Sequence, residues 1–229
     1  MSGSAHICVS RHGETDWNIA GILQGWTDVL LNELGRQQAH ELAAAVSCCG
    51  ISRVYSSPLR RALETAEIIC GKLRLAPPTR HEGLKERNFG VSQGVAKADL
   101  DPALLEQIVK RNPACHFDQG ETMEGFARRV LDAVASIAKD HPGERILVIT
   151  HGWAMDVITR HILNLPPSAI LNIKRKNGEC LSLAATEHSI RALSADGNLP
   201  GFGACSCSEK QQRILCCASP VPPQAATIT

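Results

Sequence analysis

Two short apolar runs in this chain stop at the same dipeptide. HICVS (residues 6 to 10) leads into Arg11-His12-Gly13, and RILVIT (145 to 150) leads into His151-Gly152. Apolar runs this short, separated by long stretches of helical periodicity, read as buried strands of a largely parallel sheet with helices on both faces. The helical stretches are NELGRQQAHELAAAVSCC, starting at Asn32 as a cap, SPLRRALETAEIICGKL, and TMEGFARRVLDAVASIAKD. The second of these is expected to open with Ser57 as N-cap and Pro58 at the first helical position. RVYSS is a further strand, a short one is expected near Arg80, and residues 98 to 112 read as a weak helix. WAMDVITRHIL is helical, while CLSLAAT and SIRALS form a closing pair of strands. The expected fold is α/β, a three-layer α/β/α sandwich around a mostly parallel central sheet. Residues 1–196 are expected to form one domain, and 197–229 a disordered tail containing Cys, Gly and Pro.

Composition removes several classes of function. The net charge of +1 and the small aromatic content (Phe 4, Trp 3, Tyr 1) give neither a basic stripe nor a stacking platform, so no nucleic-acid partner is expected. No apolar stretch approaches the roughly 20 residues of a membrane span, and the start MSGSAHICVS lacks the pattern of a secretory signal. A cytoplasmic location without a membrane partner is the expectation. The ten cysteines do not suggest a disulfide framework, which belongs to short secreted chains. Cys8, Cys48, Cys49 and Cys70 sit in apolar periodic segments and read as buried thiols. Cys205, Cys207, Cys216 and Cys217 show CxC and CC spacing rather than the CxxC pairs of structural zinc sites, and read as thiols of a loose tail. No metal and no cofactor is expected.

Parallel strands share one edge where their C-terminal ends emerge, and ligands of such sheets gather there. The loops after HICVS, RVYSS and RILVIT therefore bring Arg11, His12, Arg61 and His151 together. Two guanidiniums and two imidazoles suit a dianion, and the helix start beside Ser57 is expected to add backbone donors for phosphate.

Five ordered motifs, RHGETDWN with GILQGWTDVLLNELGRQQA, YSSPLRRALETA, LKERNFGVSQG, GET and VITHG, run through residues 6 to 195. In these the chain resembles the histidine phosphatase superfamily, whose best-known member is cofactor-dependent phosphoglycerate mutase. The resemblance implies a phosphoglycerate mutase-like fold. It also implies that His12 is the nucleophile that becomes a phosphohistidine, that Arg11, Arg61 and His151 hold the phosphate, and that Glu86 is the proton donor. Arg61 is preferred to Arg60 because it directly precedes Ala. Asn18 and Gln24 match positions that line the substrate pocket, and Glu121 matches a supporting carboxylate. Asn177 is a looser match to an asparagine that approaches the site in the family.

The chemistry requires these residue types. A histidine nucleophile must be neutral, and adjacent guanidiniums disfavour the imidazolium. Charge on the equatorial oxygens is met by Arg11, Arg61 and His151. An alkoxide leaves poorly, so Glu86 must start protonated, with Glu14 as the rival acid beside the nucleophile. For Glu121 the alternative is a helix-start carboxylate favoured by the dipole. Trp17 and Trp26 read as pocket-mouth or packing residues, and Lys174, Arg175 and Lys176 as a solvated turn.

The family's mutases carry a long segment with paired arginines between the Glu86-type and GE motifs. Here it runs only from Gly90 to Gly120, with Lys97, Lys110 and Arg111 as its cations. The expected activity is metal-independent hydrolysis of a small phosphate ester through a phosphohistidine. The alternatives are the mutase and, from another class, a catalytically silent module that binds phosphorylated ligands. The family's edge-strand pairing is compatible with a homodimer.

Overall fold

A computed structural model describes residues 3–165, 169–171 and 175–193. In chain order its elements are β1 (Ala5–Arg11), α1 (Asp16–Ile19), α2 (Glu33–Val46), β2 (Arg53–Ser56), α3 (Arg60–Leu73) and β3 (Thr79–Arg80). There follow α4 (Pro102–Val109), α5 (Met123–Asp140), β4 (Arg145–Thr150), α6 (Gly152–Ile162), β5 (Cys180–Thr186) and β6 (Ser189–Ala192). Three single 3₁₀ turns lie between β3 and α4. No helix among the described residues is long and apolar enough to cross a membrane. The expected tail from residue 197, with its four cysteines, lies outside the described residues.

The sheet order is β3-β2-β4-β1-β5-β6, with β3, β2, β4 and β1 paired in parallel, β5 antiparallel to β1 and β6 antiparallel to β5. The strand period of two divides the core. Cys8, Leu147 and Ile149 face α2 and α3 and pack on Leu42, Val46, Ala66 and Ile69. Ile7, Val9, Ile146 and Val148 face α5 and α6 and pack on Phe126, Val130, Met155 and Ile158. Strands buried on both faces read as continuous apolar runs, which is why HICVS and RILVIT carried so clear a signal.

The register places three strand ends together. Arg11 stands opposite Thr150. Beyond the strands, His12 N–H donates to the Thr150 carbonyl at 3.0 Å and Ser57 N–H to the Ile149 carbonyl at 3.0 Å. The loops after β1, β2 and β4 are thus tied to one another before any side chain is considered.

Three local expectations need correction. Helix α3 begins two residues later than expected, with Leu59 rather than Ser57 as N-cap and no side-chain cap of its own. The Ser57 hydroxyl stands 2.8 Å from His151 Nε2, and Asp28 Oδ1 accepts from Arg60 N–H at 2.9 Å. A distant carboxylate therefore caps this helix. Arg175 is not on a solvated turn but buried, donating to Asp156, Thr159 and Glu179, whereas Lys176 is exposed and Lys174 lies outside the described residues. Cys8, Cys49 and Cys70 are buried thiols as expected, but Cys48 is exposed past the end of α2.

One backbone contact fixes the first catalytic-type loop against α2. A Cβ on Gly13 would lie 2.3 Å from the Gly35 carbonyl oxygen, and one on Gly35 would lie 2.1 Å from that of Glu14. Both residues must be glycine for the loop to lie this close. Gly35→Ala should therefore lower stability by about 1–3 kcal/mol, measured by denaturant unfolding, and should impair turnover because the loop that carries His12 is displaced.

Candidate active site

His12 is buried beneath the junction of β1 and α2. Its Nδ1 lies 2.6 Å from the Gly13 carbonyl, which can only accept, so Nδ1 carries the hydrogen. Nε2 then holds the lone pair, and it accepts from Arg61 Nε at 3.2 Å. Burial, followed by the charges of Arg61 and Arg11, holds His12 well below the ordinary imidazole range. The neutral form of the ring is favoured, with its Nε2 lone pair set against a guanidinium.

Arg61 is pinned on three sides, donating also to the Thr27 carbonyl at 3.0 Å and the Gly25 carbonyl at 2.8 Å. Burial lowers it to about 10, so it stays protonated near neutrality. Its neighbour Arg60 is exposed and does not line the cavity that Arg61 lines. Arg11 donates from Nη1 to the Arg175 carbonyl at 2.6 Å, while its buried Nε has no hydrogen-bond partner among the described residues. His151 is fully buried, with its ring centre 5.1 Å from that of His12. Burial and then Arg61 hold it well below its ordinary value too.

Asn18 and Gln24 both line the cavity of about 400 Å³ that opens over His12. Thr15 positions them. It caps α1 through Asn18 and accepts from Gln24 Nε2 at 2.7 Å. Asn177 does not line the cavity but donates to the His12 carbonyl at 2.8 Å.

Glu86 lines the same cavity. Its Oε1 accepts from Arg87 N–H at 3.0 Å and its Oε2 from Trp153 N–H at 3.3 Å. Burial raises it above the usual carboxylate range, against the opposing pull of those N–H groups, Arg111 and Arg61. The rival Glu14 does not line the cavity, and its Oε1 accepts from Asn32.

Like His151, Glu121 does not line the cavity. It accepts from Arg129 at 2.9 and 2.7 Å and from Asn88 N–H at 2.9 Å. Arg129 in turn donates to the carbonyls of Gly83, Lys85 and Glu86 at 3.1, 3.1 and 3.2 Å. Trp26 Nε1 donates to the same Glu86 carbonyl at 2.7 Å. Glu121 acts at one remove, by orienting the arginine that shapes the Glu86 loop.

The expected backbone donors of α3 are also already engaged, Leu59 N–H by Ser57 and Arg60 N–H by Asp28. Gly152 and Trp153, at the start of α6, line the cavity instead. Sequence reasoning gave no role to Arg111, Trp153 or Phe89, which also line it. The segment from Gly90 to Gly120 had been read for its length and its cations, and no spacing within it shows that Arg111 folds back over Trp153. Among the described residues no group of three or more His, Cys, Asp or Glu side chains could hold a metal ion.

Removing the charge of Glu121 tests the positioning role. Glu121→Gln should lower the melting temperature and reduce kcat while leaving the dissociation constant for inorganic phosphate nearly unchanged. A large loss of phosphate affinity would restore Glu121 to the binding site.

A family model described as histidine phosphatase superfamily (branch 1) matches residues 7–196. The chain is 33% identical over 199 residues to the uncharacterized phosphatase PhoE of Bacillus subtilis (strain 168), covering 86% of this chain and 97% of that protein. It is 34% identical over 177 residues to the probable phosphoglycerate mutase GpmB of Yersinia pestis (strain Pestoides F), covering 75% and 80%. Among solved structures, YhfR of Bacillus stearothermophilus superposes with a TM-score of 0.77 at 28% identity, over 87% of this chain and all (100%) of that one. Phosphoglycerate mutase from Thermus thermophilus superposes with a TM-score of 0.62 at 26% identity, over 82% and 96%.

Proposed function

Given that this chain belongs to branch 1 of the histidine phosphatase superfamily, we propose that it is a phosphatase that hydrolyses a small phosphomonoester metabolite through a phosphohistidine. Members of this superfamily are enzymes, phosphatases or mutases, and the proposal concerns which of the two reactions this chain performs. The observation that carries the chemistry is the His12 Nε2 lone pair held at 3.2 Å from Arg61 Nε, in a cavity that Glu86 also lines.

In the first step Nε2 attacks phosphorus and the ester P–O bond breaks. Arg11, Arg61 and His151 meet the charge on the equatorial oxygens, and the Glu86 carboxyl passes its proton to the leaving alkoxide. In the second step a water attacks the phosphohistidine. The Glu86 carboxylate takes its proton, inorganic phosphate leaves, and His12 returns to the neutral form. Two steps through nitrogen replace one harder displacement.

Hydrolysis is favoured over isomerisation by the short segment between Gly90 and Gly120, which offers little to keep water from a phosphohistidine. The likeness to PhoE over 97% of that protein's length supports the same branch. The likeness to GpmB favours the mutase as second reading. Phosphate release from a panel of phosphorylated metabolites in EDTA, run beside 3-phosphoglycerate isomerisation primed with 2,3-bisphosphoglycerate, separates them. Release without isomerisation is expected, isomerisation without release would reverse the choice, and silence in both would leave only a ligand-binding role.

His12→Ala should abolish both phosphohistidine formation and turnover, and wild-type rates in that variant would remove the nucleophile. Glu86→Gln should slow alkyl phosphates about 10²–10⁴-fold while sparing nitrophenyl phosphate, whose leaving group needs little protonation.

The pH dependence follows from the two shifts. His12 must be neutral, and its depressed value keeps it so until the pH falls well below the ordinary imidazole range. Glu86 must be protonated, and its raised value extends that form above the ordinary carboxylate range. The kcat/KM for an alkyl phosphate should accordingly decline as pH rises through the Glu86 value, and this alkaline limb should disappear in Glu86→Gln.

A further inference from the structure

Arg175 has no part in the scheme above and does not line the cavity, yet it is buried. A buried guanidinium is tolerated where its donors and its charge are met. All three of its nitrogens are engaged. Nε donates to Asp156 Oδ1 at 3.0 Å, Nη1 to Glu179 Oε1 at 2.5 Å and Nη2 to the Thr159 hydroxyl. Asp156 and Thr159 are an i, i+3 pair in α6, so one face of that helix grips the side chain.

What Arg175 offers the site is its backbone. Its carbonyl accepts from Arg11 Nη1 at 2.6 Å, a charge-assisted bond. The turn that follows is laced to the same loop. Arg11 N–H donates to the Glu179 carbonyl at 3.2 Å, Gly178 N–H to the Arg11 carbonyl at 3.2 Å, and Asn177 Nδ2 to the His12 carbonyl at 2.8 Å. The Glu179 carboxylate closes this turn, since Oε1 accepts from Arg175 while Oε2 accepts from Lys176 N–H at 3.0 Å. Arg11 itself lines the cavity, and its buried Nε has no hydrogen-bond partner among the described residues. A guanidinium is a rigid plane, so fixing Nη1 fixes the direction of its remaining donors.

Resting on the reading above in which Arg11 meets the phosphoryl oxygens, we propose that Arg175 is a positioning residue for that reaction. Clamped between α6 and Glu179, it holds its carbonyl where Arg11 Nη1 docks, and so sets the plane that Arg11 presents to phosphate. The helix whose N-cap is His151 thereby also governs the orientation of Arg11.

Dissociation constants for inorganic phosphate, measured by calorimetry on the full chain beside kcat/KM for an alkyl phosphate, test this. Arg175→Gln should weaken phosphate binding and lower kcat/KM about tenfold or more, and Arg175→Lys, which keeps the charge without the three-way grip, should recover part of each. The discriminating readout is dependence on Arg11. In an Arg11→Gln background, adding Arg175→Gln should cost about twofold or less, because the side chain it acts through is already gone. Equal fold losses in both backgrounds overturn the proposal, as does a lowered melting temperature beside unchanged phosphate affinity, since either leaves Arg175 a purely structural ion pair. Asp156 also stands 3.3 Å from Arg111 Nε, so a change there would disturb a second arginine. Thr159→Val, which removes one acceptor and keeps the shape, repeats the cycle if Arg175→Gln does not fold. Its smaller loss should again vanish with Arg11→Gln, and an additive loss or none overturns the proposal equally. Phosphate affinity reads the orientation of Arg11 without turnover. Absence of hydrolysis beside a non-additive phosphate cycle would overturn the reaction and leave the positioning role standing, whereas phosphate binding insensitive to Arg11→Gln would overturn both.

Discussion

Arg61 and His12 meet at 3.2 Å in the floor of the cavity, and much of the molecule is arranged so that they can. A guanidinium donating to an imidazole nitrogen makes protonation of that nitrogen unfavourable, and burial adds to the effect. The contact requires Arg61 to be held from behind, which the Thr27 and Gly25 carbonyls do. It also requires His12 to present one nitrogen, which the Gly13 carbonyl ensures by engaging the other. A neutral imidazole and a fixed cation are two results of one geometry.

Concentrating cations under a sheet edge is unfavourable without an anion, so the surrounding fold has to hold them in place. Carbonyl oxygens do much of this holding, from Gly25, Thr27 and Arg175 on the catalytic side and from Gly83, Lys85 and Glu86 around Arg129. Buried carboxylates are few and shared. Asp156 bridges Arg111 and Arg175, and Glu121 serves Arg129 outside the cavity. Carbonyl dipoles fix guanidiniums without cancelling their charge, which leaves that charge available to a phosphate.

The opposite preference governs Glu86. Burial disfavours its charged form, although two N–H groups and two arginines pull the other way. One cavity thus disfavours protonation of His12 and ionisation of Glu86, separated by which neighbours each side chain meets.

The sequence alone determined the parallel sheet, the order of its elements and the convergence of Arg11, His12, Arg61 and His151. Each of these follows from local periodicity and from the rule that parallel strands end at a common edge. HICVS and RILVIT were legible because strands buried on both faces are apolar throughout. The start of α3 was not, because Asp28 caps it from a distant loop and Ser57 faces His151. Nor were the buried position of Arg175, the retreat of Glu121 behind Arg129 or the entry of Arg111 into the cavity. Those depend on which long polar side chains meet across loops that carry no periodicity. Local pattern decides where a strand must end, whereas long-range packing and charge decide which arginines and carboxylates face the ligand.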